Sequence, residues 1–154
     1  MARLLPLLLG LALPGCRGDG AQGIPVPAPM DMASIARPAS PNTALAAPTA
    51  FRPEPDIVVP PFKVAPARLY AAIRAVAESR PRVFLHVAYD DRMQVHYVAR
   101  SALLNFPDLV TVQVNPDASL VLWSRSVYGQ SDLGVNRRRL ADWLAVLDRR
   151  LAAG

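Results

Sequence analysis

The side chains able to do chemistry gather in one stretch of this chain. Ser124 to Arg139 reads Ser-Arg-Ser-Val-Tyr-Gly-Gln-Ser-Asp-Leu-Gly-Val-Asn-Arg-Arg-Arg. It holds the hydroxyls of Ser124, Ser126 and Ser131, the carboxylate of Asp132, and four arginines. Gly129 and Gly134 break the loop that leads into a helix at about Asn136, a good N-cap type. Three arginines then crowd the first turn, the positive end of the helix dipole. Cations there are disfavoured by typically 0.3–1 kcal/mol each, and local rules tend to be broken at functional sites. Two readings stand. In one, free N–H groups at the helix start join Arg125 and Arg139 to form an anion site, with Ser131, Asp132 and Asn136 beside them. In the other, Asp132 and Asp108 neutralise the arginines and lock the loop against a sheet, with Arg138 pairing Asp142 one turn on. The second is the more economical.

Other chemistry finds less support. Ser131 and Asp132 would serve a hydrolase only with a base nearby, and Gly129-Gln130-Ser131-Asp132-Leu133-Gly134 is not a nucleophile elbow, because its second glycine falls one place late. His86 and His96 lie on two strands of one hairpin. A two-residue turn would put them on opposite faces, and a three-residue turn would make them cross-strand partners. Two histidines are too few for a zinc site, so no metal is expected. No phosphate loop or dinucleotide fingerprint is present, and no cofactor is expected.

The start of the chain has its own chemistry. Met1-Ala2-Arg3 is followed by an apolar run from Leu4 to Leu13 and then Pro14-Gly15-Cys16. This is the form of a secretory signal, cut before Cys16. Roughly a dozen apolar residues fall short of the about 20 that a spanning helix needs. Leu13-Pro14-Gly15-Cys16 resembles a lipobox, in which Cys16 receives lipid. Cys16 is the only cysteine, so the domain has no internal disulfide, and two or three acyl chains would hold it firmly on a membrane. The expected location is the bacterial cell envelope, facing the periplasm. Arg17, in the place where Asp would favour inner-membrane retention, points to the outer membrane of a two-membrane cell.

The net charge is +5, carried by sixteen arginines and one lysine, Lys63. An exported protein meets little nucleic acid, so none is expected as a partner. Anionic lipid, cell-wall polymer or an envelope protein fits the charge better. Arginine and alanine enrichment also follows from a GC-rich genome alone.

These residues need elements to position them. From 16 to 55 the chain is rich in Pro, Ala and Gly, a composition that buries too little apolar surface to order itself. It reads as a tether reaching on the order of 100 Å at PPII dimensions. From 56 to 154 the pattern is that of one domain. Ile57–Val59 and Phe62–Val64 form an edge strand interrupted by Pro60-Pro61. Pro66 opens a helix whose stripe is Leu69, Ala72, Ile73 and Val76. Strands at 83–89 and 93–99 flank Asp90-Asp91. Strands at 109–114 and 120–127 flank Asn115-Pro116-Asp117. A last helix carries Leu140, Trp143, Leu144, Leu147 and Leu151 on one face. The expected fold is α+β, a mainly antiparallel sheet of about five strands in the order β-α-β-β-β-β-α, with two helices on one face.

The run Trp123–Leu140 is similar to the signature of the domain-of-unknown-function 1499 family, close to Ser-Arg-Ser-x-x-Gly-x-Ser-Asp-x-Gly-x-Asn-x-x-Arg. Ser40-Pro41-Asn42 and Phe106-Pro107-Asp108 resemble two further family motifs, so the resemblance covers about 37 to 151. Thr43 stands where members often carry Cys, and Leu109 where they often carry a second acid. The resemblance implies an exported or lipid-anchored envelope protein and no particular reaction. The expected function is a non-catalytic module that binds an anionic ligand or a partner. The alternatives are a hydrolase of an envelope substrate using Ser131 and Asp132, and a structural subunit of an assembly.

Overall fold

The fold is that of a computed structural model of the chain, which describes residues 20–153. The expected cleavage site and Cys16 lie outside the described residues.

Six strands form one mixed sheet: β1 (Thr43–Ala47), β2 (Ile57–Val58), β3 (Val83–Tyr89), β4 (Gln94–Arg100), β5 (Pro107–Val114) and β6 (Leu120–Ser126). Their spatial order is β2-β1-β6-β5-β4-β3. Only β1 and β2 run parallel; every other neighbouring pair is antiparallel. Helices α1 (Pro66–Glu78) and α2 (Val135–Ala152) pack on one face. The α+β class, the two helices and the hairpins agree with expectation. The strand count does not: β1 is an additional strand between β2 and β6, next to the sheet edge, and the expected edge strand is confined to Ile57–Val58, because the chain after Pro60-Pro61 leaves the sheet and Phe62–Val64 forms no strand.

Each helix is placed by its stripe. Leu69, Ile73 and Val76 of α1 and Leu140, Trp143 and Leu147 of α2 are all buried. They meet Val95, Tyr97, Val110, Val112, Leu120 and Leu122 from the sheet. Trp143 stands edge-on to Tyr97, with ring centroids 6.0 Å apart, a favoured aromatic geometry. Pro66 occupies the first turn of α1, where its missing N–H has no helical partner to lose.

The expected tether over 16–55 is not what residues 20–55 do. They wrap the opposite face of the sheet. Gly20 and Gln22 accept from Arg100 through their carbonyls. Pro25 O lies 2.9 Å from His86 Nε2 and Pro27 O accepts from Tyr89 at 2.6 Å. Met30 exchanges two hydrogen bonds with the Gln94 amide, at 2.7 and 2.8 Å. Met32, Leu45, Ala47, Val121 and Trp123 then form a second, smaller core. The physical reason is economy of partners. A proline-rich strap lacks N–H groups and needs few of its own, while its carbonyls satisfy side chains that project from the sheet. β1 is the short run Thr-Ala-Leu-Ala-Ala, small enough to sit flat between two layers.

The β3–β4 turn is Asp90–Arg92, with Met93 in the left-handed region at φ 48°. With this three-residue turn and a register shift between Leu85 and Val87, both histidines face the strap. His96 is buried, bonded to Thr111 Oγ1 at 3.0 Å and to Gln94 Oε1 at 3.1 Å. Burial, with smaller contributions from His86 and Arg125, lowers its pKa to about 4. The folded protein therefore binds a proton at His96 less readily than the unfolded chain does. Stability from this site is complete above pH 6.5 and declines as the pH falls from 6.5 towards 4. Urea titrations across that window should show a loss of a few kcal/mol that His96→Gln largely removes. An unchanged slope in the variant would mean the histidine is not held neutral.

Candidate functional site

The loop after β6 and the start of α2 fold back on themselves. Asp132 Oδ1 accepts from Gly134 N at 2.9 Å and its Oδ2 from Asn136 N at 2.7 Å. Ser131 Oγ accepts from Leu133 N at 3.2 Å. Asp132 is thus the capping side chain, and its carboxylate sits at the helix start where negative charge is favoured. Gly134 holds φ 78°, a conformation that residues with a Cβ adopt only with strain, which suits glycine to this turn. The expectation of Asn136 as N-cap is corrected: it lies inside the first turn and points inward.

Asn136 is fully buried and is the hub of a polar network between α2 and the sheet. Its Nδ2 donates to Asn42 O at 3.0 Å and to Ser126 Oγ at 3.1 Å. Its Oδ1 accepts from Ser124 Oγ and, at 2.6 Å, from Arg139 Nη1. Arg139 also reaches Ser124 Oγ at 3.0 Å and Asp108 Oδ2 at 2.6 Å. The two side chains of that ion pair are 12% and 8% exposed. Asn42 Nδ2 donates to Gly129 O at 2.7 Å, which fixes the glycine-containing loop. Arg139, Asn136, Ser124, Ser126 and Asp108 therefore do meet, and they satisfy one another. The helix-start donors expected to be free for an anion are held instead by Asp132. Asp142 pairs with Arg80 at 2.7 Å, not with Arg138, which donates to Leu133 O.

Arg125 is the member that the structure sets apart. Side chains alternate along a strand. Ser124 faces the helices, so Arg125 faces the strap, with Trp123 as its neighbour on that face. It lines a groove of about 600 Å³ together with Arg37, Ser40, Asn42, Thr43 and Ser126. Among the described residues the Arg125 guanidinium makes no hydrogen bond and no ion pair. Burial lowers the pKa of its guanidinium, because nothing nearby compensates the lost hydration. Arg37, across the groove, is paired with Asp56, whose carboxylate also accepts from Leu45 N at 2.8 Å. Arg37 and Trp123 were not singled out from sequence as site residues. For Arg125, the period of two along β6 was the signal that separates it from Arg139.

The hydroxyl of Ser131 is occupied by its own loop, and the histidines have partners elsewhere: His86 at Pro25 O, His96 at Thr111 and Gln94. Among the described residues no three side chains of metal-binding type converge.

A family model described as "Protein of unknown function (DUF1499)" matches residues 35–147. The chain belongs to the DUF1499 family. No curated protein and no solved structure matches it. The three DUF1499-like motifs of the chain, at 40–42, 106–108 and 123–140, are the segments that the Asn136 network joins.

Removing one partner of a buried pair leaves the other charged and unsatisfied, at about 3–5 kcal/mol. Arg139→Ala should destabilise the domain by about that much in urea titration, and the double variant Arg139→Ala with Asp108→Ala by clearly less than the sum of the singles. Strict additivity would show that the pair is not coupled.

Proposed function

We propose that this DUF1499 protein is a lipid-anchored envelope protein whose domain takes an anionic ligand in the groove at Arg125, without catalysing a reaction. The observation that carries the ligand reading is the half-buried Arg125 guanidinium with no partner among the described residues. Dehydrating a cation costs free energy unless a counter-charge offsets it, and the groove offers room for one. A planar five-donor fork is suited to a carboxylate or phosphate. Ser40 and Thr43 supply hydroxyls, and Trp123 supplies an apolar floor. The anchor rests on the signal-like start and the lipobox-like approach to Cys16. The basic composition supports an acidic partner at the membrane or wall, through attraction at long range.

The reading moves the anion site from the helix start to the opposite face of the sheet. A hydrolase built on Ser131 and Asp132 is less well supported, since both side chains are committed to capping the loop. A structural role in an assembly fits the Asn136 network equally well, and it does not account for Arg125.

A thermal-shift screen tests the ligand reading, with inorganic phosphate, glycerol phosphate and muropeptides as probes. At about 100 times its Kd a ligand adds roughly 2.7 kcal/mol of stability. Arg125→Gln should abolish that shift and leave the unliganded protein as stable as before or more so. A shift that survives in Arg125→Gln would place binding elsewhere, and a strongly destabilised Arg125→Gln would make the arginine structural.

A further inference from the structure

Among the described residues, five of the nine exposed large apolar side chains gather in one place. The large ones that stand out from the surface include Phe84, Leu85, Leu103, Leu104 and Phe106, at 37%, 49%, 91%, 58% and 38% exposed. All five belong to one corner of the sheet, where β3 begins, β4 ends and β5 begins. Clustered exposed apolar surface marks a contact site more often than single residues do.

The loop that carries the leucines is braced. Ser101 N donates to Phe106 O and Phe106 N to Ser101 Oγ, both at 2.9 Å. Arg82 and Arg100 donate to the side chain and backbone of Asn105. The leucines are thus held out from a closed base. Arg82 makes no ion pair among the described residues, so it adds positive charge to the apolar tip.

The same corner is where the described chain starts. Gly20 O accepts from Arg100 Nε at 2.7 Å, and Gly20 packs beside Phe84, with 3.7 Å between the ring and an ideal Cβ. Gly20 is only four positions from Cys16, a reach of at most about 14 Å. A lipid on Cys16 would therefore bring a bilayer to this corner. A long leash that leaves the domain free to point anywhere is replaced by a short one.

We infer that the β3–β4–β5 corner docks on the anionic bilayer that holds the lipid of Cys16, with Leu103 and Leu104 inserted among the acyl chains and Arg82 at the headgroups. The inference rests on the anchored reading proposed above. An apolar tip with an exposed arginine, Arg82, beside it is what an interfacial contact requires, since buried apolar area and attraction to anionic lipid add.

The test uses the full-length protein, purified from membranes and reconstituted in phosphatidylcholine vesicles containing phosphatidylglycerol. An indole is introduced by Leu103→Trp, and in a second variant by Pro116→Trp, in the β5–β6 turn at the other end of the sheet. Brominated lipids should quench and blue-shift the first indole and not the second. Adding Leu104→Asp to the Leu103→Trp variant should reduce quenching to the level of Pro116→Trp. Equal quenching of the two probes overturns the docking. Mass spectrometry of the chain and fractionation of Cys16→Ser report the anchor separately. If the chain carries no lipid and the Leu103→Trp probe is still quenched on added vesicles, docking stands without the anchor. If it carries none and is not quenched, both fail.

Discussion

The domain depends on one buried polar hub. Asn136 lies where no water reaches, and each of its amide atoms has a partner in a different part of the chain: Asn42 and Ser126 on one side, Ser124 and Arg139 on the other. A buried amide that lacks partners costs more than a satisfied one gains. The hub therefore fixes three things together. β1 must enter beside β6, the loop at Gly129 must close over Asn42, and α2 must start at the height that lets Arg139 reach Asp108. The crowd of arginines at the positive end of α2 is resolved in the same place. Asp132 supplies the negative charge at the helix start, Arg139 turns to Asp108, and Arg137 and Arg138 stay at the surface, donating to backbone carbonyls.

The second constraint is the face that the helices leave open. Leu45, Trp123, Thr111 and His96 lie side by side across it in register. The strap closes this face with carbonyls where the sheet offers donors and with Met30, Met32 and Ile35 where it offers apolar surface. The strap has few buried side chains, Ile24 and Met32 among them. By density of apolar contacts it is the layer that opens at least cost. It also forms one wall of the groove at Arg125, through Met30, Ser34, Ile35 and Arg37.

Much of this was legible in the residues, and the failures have physical reasons. The stripes of α1 and α2 were readable because an apolar face must recur at helical spacing. The hairpins were readable because their turn residues are distinct. That Asp108 could neutralise one of the arginines was legible as charge matching; which arginine was not. β1 was not, because an alanine-rich strand between prolines has the composition of a flexible segment and acquires its order only from the neighbours on either side. Side-chain propensity carries no record of such neighbours. Joining Arg125 to Arg139 in one site came from weighing residue types ahead of strand alternation. The single place between Ser124 and Arg125 puts the thickness of the sheet between their side chains.

The two halves of the functional reading meet at one end of the molecule. β6 ends at the same end of the sheet as β4, two strands away, a lateral distance of roughly 10 Å at ordinary strand spacing. A bilayer drawn to the corner of Leu103 by a short leash would lie alongside the groove that holds Arg125. In that position the half-buried guanidinium would have negative charge within reach from lipid headgroups as well as from free ligands. The strap joins the two ends of this reading covalently, since its described part starts at the Arg100 corner and runs on as a wall of the groove.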